Sequence, residues 1–180
     1  DGRLVEFECE TVSERMDWTR ALRGIAIRQG FVDPDEPEER VLRTMQLKVF
    51  CRSLFQTDLA KPSDFVAGLF QKDVKTGEFI FIAHTESILD DPNPSFEAQL
   101  FVRGYYGEFE KILLSVYDLQ GQQARERNRV GSAVVDFDLL SDSQHKVVTT
   151  PMGNTRNPLL ERRLQDKHSV LLVECREVEP

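Results

Sequence analysis

The residues best suited to bind a ligand are three arginines in one polar loop. Arg125, Arg127 and Arg129 follow an apolar stretch that ends at Asp118. A guanidinium group binds phosphate or carboxylate through two parallel hydrogen bonds and keeps its charge at every physiological pH. The loop is therefore predicted to contact an anionic ligand. The alternative is a solvated loop in which these arginines pair with Glu126 and neighbouring acids.

Strands with alternating apolar residues are predicted to position this loop. Within residues 111–120, Ile112, Leu114 and Val116 recur with a period of two, which is typical of a half-buried strand. Seven further strands are predicted, near residues 47–52, 65–70, 79–83, 96–102, 130–137, 146–150 and 169–175. Eight strands separated by turn residues favour an all-β fold, an eight-stranded antiparallel β-sandwich, with the arginine loop at one end.

Two helices are predicted in addition to the strands. A capping-box pattern at residues 11–14 predicts an amphipathic helix over residues 12–29, with an apolar stripe that begins at Trp18. Near the C-terminus, Asn157 is a good N-cap, and Pro158 is favoured at the first helical position. This pair predicts a short helix before the last strand.

The chain is predicted to contain one domain and an N-terminal segment. Residues 31–40 hold two prolines and five acids, a composition typical of an extended, solvated linker. The predicted boundaries are therefore 1–30 for the segment, 31–40 for the linker and 41–180 for the sandwich domain.

Net charge limits the classes of partner. The chain has 31 acids against 23 bases, a formal net charge of −8 at pH 7. This acidic excess repels nucleic acid, so no nucleic-acid partner is predicted. No apolar run reaches the length of a membrane-spanning helix, and a transmembrane segment is not predicted either.

Reactive side chains are not grouped in a way that predicts catalysis. Cys9, Cys51 and Cys175 lie in strand-like apolar runs without a Cys-x-x-Cys pair, which favours buried, reduced thiols and a cytoplasmic location. The three histidines have no nucleophile or metal ligand at a recognisable spacing. We therefore predict neither an enzyme nor a tightly bound cofactor.

The N-terminal segment resembles part of a known domain. An alternating stretch at residues 4–10 precedes Glu14-Arg15-x-x-Trp18-x-x-Ala21-Leu22. This series is similar to the last strand and C-terminal helix of a pleckstrin-homology domain. The resemblance implies that the chain is a piece of a longer protein whose upstream part completes that domain. The alternative is an ordinary amphipathic helix with Trp18 in a core.

Residues 41–180 resemble a C2 domain through three signatures that occur in order. The first joins residues 47–54 (LKVFCRSL), Asp58 and residues 63–66 (SDFV). The second is Asn93-Pro94-Ser95-Phe96, and the third is LSVYD at residues 114–118, closed by Val130-Gly131. The tract at residues 101–117 is similar to copines in particular. This resemblance implies a C2-type β-sandwich.

The resemblance also implies candidate calcium ligands. Many C2 domains hold calcium with about five acids on two loops, and hard oxygen ligands suit this ion. Asp58 and Asp64 match the acids of the first loop, and Asp118 matches the first acid of the other. The two remaining positions fall on Gln120 and Asn128. We therefore expect a weak calcium site at best, and the alternative is that these three aspartates are turn and cap residues.

The sequence thus predicts a non-catalytic docking module of a larger signalling or trafficking protein. It would bind anionic membrane phospholipid with little dependence on calcium, through Arg125, Arg127 and Arg129, as a cytoplasmic protein in peripheral association with the membrane. The alternative function is a protein-interaction or structural module that binds neither lipid nor calcium.

Overall fold

A computed structural model describes residues 21–22, 25, 28–30, 42–57, 61–73, 75–105, 110–141 and 147–178. Contacts divide the chain into two units, Asp1–Val41 and Leu42–Pro180. In the first unit, residues 21, 22, 25 and 28 are helical, and the Gln29 amide donates to the Ile25 carbonyl at 3.0 Å. The rest of the pleckstrin-homology-like segment and the acidic linker lie outside the described residues, so those assignments stay predictions.

The second unit is a sandwich of two antiparallel sheets. Its described residues form nine strands: β1 (Leu42–Arg52), β2 (Asp64–Lys72), β3 (Phe79–His84), β4 (Ile88–Leu89), β5 (Leu100–Tyr105), β6 (Lys111–Asp118), β7 (Arg129–Asp136), β8 (Val147–Pro151) and β9 (Val170–Val178). One sheet has the order β5-β1-β9-β8. The other has the order β3-β2-β6-β7, and β4 pairs with β2. The predicted antiparallel β-sandwich is confirmed.

Alternation along the strands builds the core between the sheets. On β1, the side chains of Leu47, Val49 and Cys51 are fully buried, whereas Arg52 at the strand end is exposed. On β6, Ile112, Leu114 and Val116 are likewise fully buried. The period of two in the sequence therefore marks the face that each strand turns inward.

Local structure differs from the sequence prediction at three places. The strand expected at residues 96–102 begins only at Leu100, and before it the Phe96 amide donates a single hydrogen bond to the Val49 carbonyl at 3.1 Å. The two-residue strand β4 was not predicted, since two residues carry no periodic signal. At residue 137 the strand predicted at residues 130–137 gives way to a short helix, α1 (Phe137–Ser141). A Cβ atom at Gly104 would lie 2.9 Å from the Phe137 ring, so the glycine makes room for this ring.

A second helix, α2 (Pro158–Asp166), begins where the sequence predicted one. The Asn157 side chain accepts hydrogen bonds from the amides of Leu159 and Leu160 at 3.2 and 3.3 Å, as an N-cap does. Leu164 is buried against β7, where a Cβ at Gly131 would lie 2.9 Å from Leu164 Cδ1. The glycine therefore permits α2 to pack closely on the second sheet.

Two cysteines are buried in the core. Cys51 and Cys175 are fully or almost fully buried. Burial raises the pKa of Cys51 to about 12, although the positive charge of Arg52 acts in the opposite direction. The prediction of burial is confirmed for these two residues, the reduced state stays a prediction, and Cys9 lies outside the described residues.

Candidate functional site

Three segments meet at the end of the sandwich where β6 stops. They are the described parts of the β1–β2 loop at residues 53–57 and 61–63, the β6–β7 loop at residues 119–128, and α2 with the residues before it. Arg163 of α2 donates to the Gln56 carbonyl at 3.4 Å, and its guanidinium lies 4.2 Å from the centre of the Phe55 ring. Arg156 forms an ion pair with Glu126 at 3.4 Å. These contacts join α2 to both loops.

Asp118 is the buried centre of this end. Its side chain is only 2 % exposed. One carboxylate oxygen, Oδ2, accepts from the Thr57 hydroxyl at 2.5 Å, the Ser63 hydroxyl at 3.0 Å and the Gln120 amide at 3.1 Å. The other, Oδ1, accepts from the Asp64 backbone amide at 2.9 Å. Asp118 therefore connects the two loops through hydrogen bonds from neutral donors. This arrangement is the one that the cap alternative in the sequence analysis describes.

The other candidate metal ligands are only partly placed. Asp64 begins β2 next to Asp118, and its carbonyl accepts from the Leu119 amide at 2.8 Å. Asp58 lies outside the described residues. Within the described ranges, no three acid, histidine or cysteine side chains are grouped so that they could hold a metal ion. The weak calcium site stays a prediction, since it depends on Asp58.

Asn128 organises the arginine loop. It closes a 3₁₀ turn at Glu126–Asn128. Its side-chain oxygen accepts from the Arg125 amide at 2.7 Å, and its side-chain nitrogen donates to the Gln123 carbonyl at 3.0 Å. An aspartate here could accept the first bond but could not donate the second. The asparagine thus suits a loop that is ordered by its own hydrogen bonds.

The structure separates the three arginines into two groups. Arg125 and Arg127 are exposed, and Arg127 donates to the Gln122 side chain at 2.6 Å. Arg129 pairs with Glu126 at 2.7 Å, and only 11 % of its side chain is exposed. This pair is the one that the solvated-loop alternative anticipated. We therefore assign Arg129 a structural role and keep Arg125 and Arg127 as candidate ligand contacts.

Sequence reasoning missed the cations that α2 adds to this end. A cavity of about 480 Å³ lies between the β6–β7 loop and α2, and its walls include Arg127, Arg129 and Asn157. Arg156 is 70 % exposed beside it. The signal was available, because the predicted short helix follows Arg156 and contains Arg163. What the sequence did not show is that this helix packs next to the arginine loop.

Comparisons with known proteins agree with this architecture. No protein-family model matches the chain. Among curated proteins, Copine-B of Dictyostelium discoideum is 27 % identical over 110 residues, which are 61 % of this chain and 19 % of Copine-B. The chain therefore spans about a fifth of the length of that relative.

Solved structures show the same fold at low sequence identity. The first C2 domain (domain A) of plant Extended Synaptotagmin 1 has a TM-score of 0.57 and 18 % identity, with 75 % of this chain and 93 % of that domain covered. BON1-C2B has a TM-score of 0.50 and 20 % identity, with coverages of 76 % and 93 %. Human GIVD cytosolic phospholipase A2 has a TM-score of 0.54 and 16 % identity, but only 17 % of that enzyme is covered. The fold of residues 42–178 is that of a C2-type β-sandwich.

Proposed function

We propose that this domain is a non-catalytic docking module that binds anionic phospholipid with little dependence on calcium. The contact would be made by Arg125 and Arg127, with Arg156 beside them. As part of a larger protein, the module would hold that protein at a membrane surface. In the part of the chain that the structure describes, no helix is long and apolar enough to cross a bilayer.

The observation that carries the proposal is the exposed cationic loop at the end of the sandwich. Arg125 and Arg127 project from a loop whose backbone is fixed by Asn128, while Arg129 neutralises Glu126 within it. Each cation near an anionic membrane surface contributes about 1 kcal/mol. Two or three such contacts support weak, reversible binding, which suits a module that acts together with other domains.

Little dependence on calcium follows from the surroundings of Asp118. Three donors already direct their hydrogens at one oxygen of this carboxylate, and a backbone amide is directed at the other. A divalent ion would have to displace these bonds inside a buried site. The positions matched to two further ligands are Gln120 and Asn128, which carry no charge.

Vesicle co-sedimentation of the full chain tests the proposal. Phosphatidylcholine vesicles with phosphatidylserine should bind the protein equally well in calcium and in EGTA. Changing Arg125→Glu and Arg127→Glu together should weaken binding by about 30-fold or more, because two contributions of about 1 kcal/mol are lost. Vesicles of phosphatidylcholine alone should not pellet the protein.

The matched control is Lys72→Glu with Arg103→Glu. It makes the same change in net charge on two exposed residues of β2 and β5, away from the arginine loop. If both double variants lose binding equally, only overall charge matters and the assigned contact is wrong. If anionic vesicles pellet the unchanged protein in neither condition, lipid docking itself is excluded.

A further inference from the structure

An aromatic groove on the outer face of the second sheet lies beside the proposed membrane contact, and Arg125 belongs to both. The groove is a cavity of about 660 Å³ beside β3, with Val66, Gly68 and Tyr117 among its lining residues. Val66 and Gly68 lie on the outer face because Ala67 and Leu69, which alternate with them on β2, belong to the core, and Tyr117 of β6 is paired with Val66. Its volume is in the range of ordinary ligand-binding pockets.

Aromatic rings form one side of the groove. Phe81 is 53 % exposed, packs edge-on against Phe70 with ring centres 5.6 Å apart, and stacks on His84 at 6.2 Å. A Cβ at Gly68 would lie 3.1 Å from the Phe70 ring and 3.5 Å from the Tyr117 ring. A side chain at this position would contact both rings, so the glycine leaves room beside them in the groove.

Five titratable side chains line the groove: His84, Glu86, Tyr117, Arg125 and Glu126. The charge of Glu126 is already paired with Arg129 and Arg156. Glu86 has no base within ion-pair distance among the described residues; its carboxylate accepts from the amides of Glu97 and Ala98 at 2.5 and 3.0 Å.

Glu86 remains an anion at neutral pH. Burial raises the pKa of its carboxyl, but the hydrogen bonds that it accepts from backbone amides outweigh burial and hold that pKa below its usual range. The wall next to β3 therefore carries an anion beside exposed aromatic rings. Arg125 lies on the loop side of the groove.

Strand β3 is an open edge next to this groove. Among the described strands it pairs only with β2, and residues 79–83 contain no charge. Ile80 and Ile82 are 51 % and 42 % exposed. Natural proteins usually protect such an edge, and an unprotected apolar edge readily accepts another strand through main-chain hydrogen bonds.

We propose that the outer edge of β3 binds an extended segment of a partner protein, with a long basic side chain of that segment lying over Phe81 beside Glu86. A strand added outside β3 would lie about 4.8 Å beyond it, so only a long side chain can cross β3 into the groove. Lysine and arginine have this length, and a cation is attracted by an aromatic face and by the carboxylate. The net charge of −8 also favours a basic partner.

An NMR titration of the full chain tests this proposal with two synthetic probes. The first is a capped pentapeptide of sequence threonine-valine-arginine-valine-threonine, and the second has glutamate in place of arginine. The arginine peptide should shift the amide signals of Ile80, Ile82 and Gly68 and should bind about threefold or more tightly than the glutamate peptide. Phe81→Leu should weaken the binding of the arginine peptide by about threefold, since the substitution removes the ring but keeps an apolar side chain.

Phe101→Leu is the matched control, because Phe101 is 50 % exposed on β5, the edge of the other sheet. It should leave the affinity of the arginine peptide unchanged. Equal affinity of the two peptides, equal loss in the two variants, or no shift on β3 would each overturn the proposal. Shifts on β3 that depend on protein concentration alone would also overturn it, because they would indicate a second copy as the occupant. Loss of vesicle binding in Phe81→Leu would overturn it as well, because it would indicate lipid.

Discussion

At the residue scale, Asp118 matches a ligand position of the C2 family, but the hydrogen bonds that it accepts come from neutral donors. A carboxylate in a calcium site lies close to other carboxylates, and their mutual repulsion is relieved only by the ion. Asp118 instead accepts from two hydroxyls, a side-chain amide and a backbone amide. These neutral donors lead us to expect that Asp118 stabilises the folded state without an ion.

A cap role and a calcium-ligand role predict opposite effects of Asp118→Asn on the stability of the protein in the presence of EGTA. The substitution should lower the free energy of unfolding by about 3 kcal/mol, because donors in a buried network lose a charged acceptor. In a calcium-type cluster, removal of one negative charge would instead raise the stability of the metal-free protein. Urea unfolding followed by circular dichroism measures the change.

Asp136→Asn is the control for that measurement. Asp136 is half-exposed on β7 and forms an ion pair with Lys111 at 3.7 Å. An exposed pair of this kind contributes about 0.5 kcal/mol or less, so the control should be almost neutral. A stability gain in Asp118→Asn would contradict the cap role.

At the element scale, α2 is the part of the site that depends most on packing. Its own sequence predicts the start at Asn157, but the position of the helix against β7 is set by Gly131, whose missing side chain makes room for Leu164 and Met152. Because Arg156 and Arg163 are attached to this helix, its packing also sets where their charges lie.

Gly131→Ala should therefore destabilise the domain and disturb the site together. The new Cβ would lie 2.9 Å from Leu164 Cδ1 and 3.1 Å from Met152 Cε, and overpacking of this kind costs about 1–3 kcal/mol. In a double-mutant cycle with Leu164→Ala, the double variant should lose less unfolding free energy than the two single variants lose together. The smaller side chain at residue 164 makes room for the methyl group at residue 131. Full additivity in urea unfolding would show that this contact does not fix the helix.

The same elements show which features a single sequence can predict. The strands were predictable because a period of two records which side chains are buried, as at Ile112, Leu114 and Val116. The cap at Asn157 was predictable because capping is local. The ion pair between Arg129 and Glu126 was anticipated only as an alternative, and the closeness of Arg156 to the loop was not anticipated, since it depends on residues far apart in the chain that only the fold brings together.

At the scale of the whole molecule, two electrostatic effects oppose each other at an anionic membrane. The exposed arginines at one end are attracted to it, whereas the chain as a whole carries a net charge of −8 and is repelled. The range of each effect depends on salt, because charges separated by more than a Debye length are screened. That length is about 30 Å at 0.01 M salt and about 10 Å at 0.1 M.

The balance predicts a maximum in vesicle binding as salt is raised. An 11-residue strand such as β1 is about 37 Å long at about 3.4 Å per residue, so at the lowest salt most of the sandwich domain lies within range of the membrane. Salt near 0.1 M screens this distant repulsion first, and binding to phosphatidylserine vesicles should rise. Near 1 M the Debye length falls to about 3 Å, the arginine contacts are screened as well, and binding should fall. Co-sedimentation over this range of salt measures both the rise and the fall in binding. A steady decline from the lowest salt would show that the acidic remainder of the chain does not oppose docking.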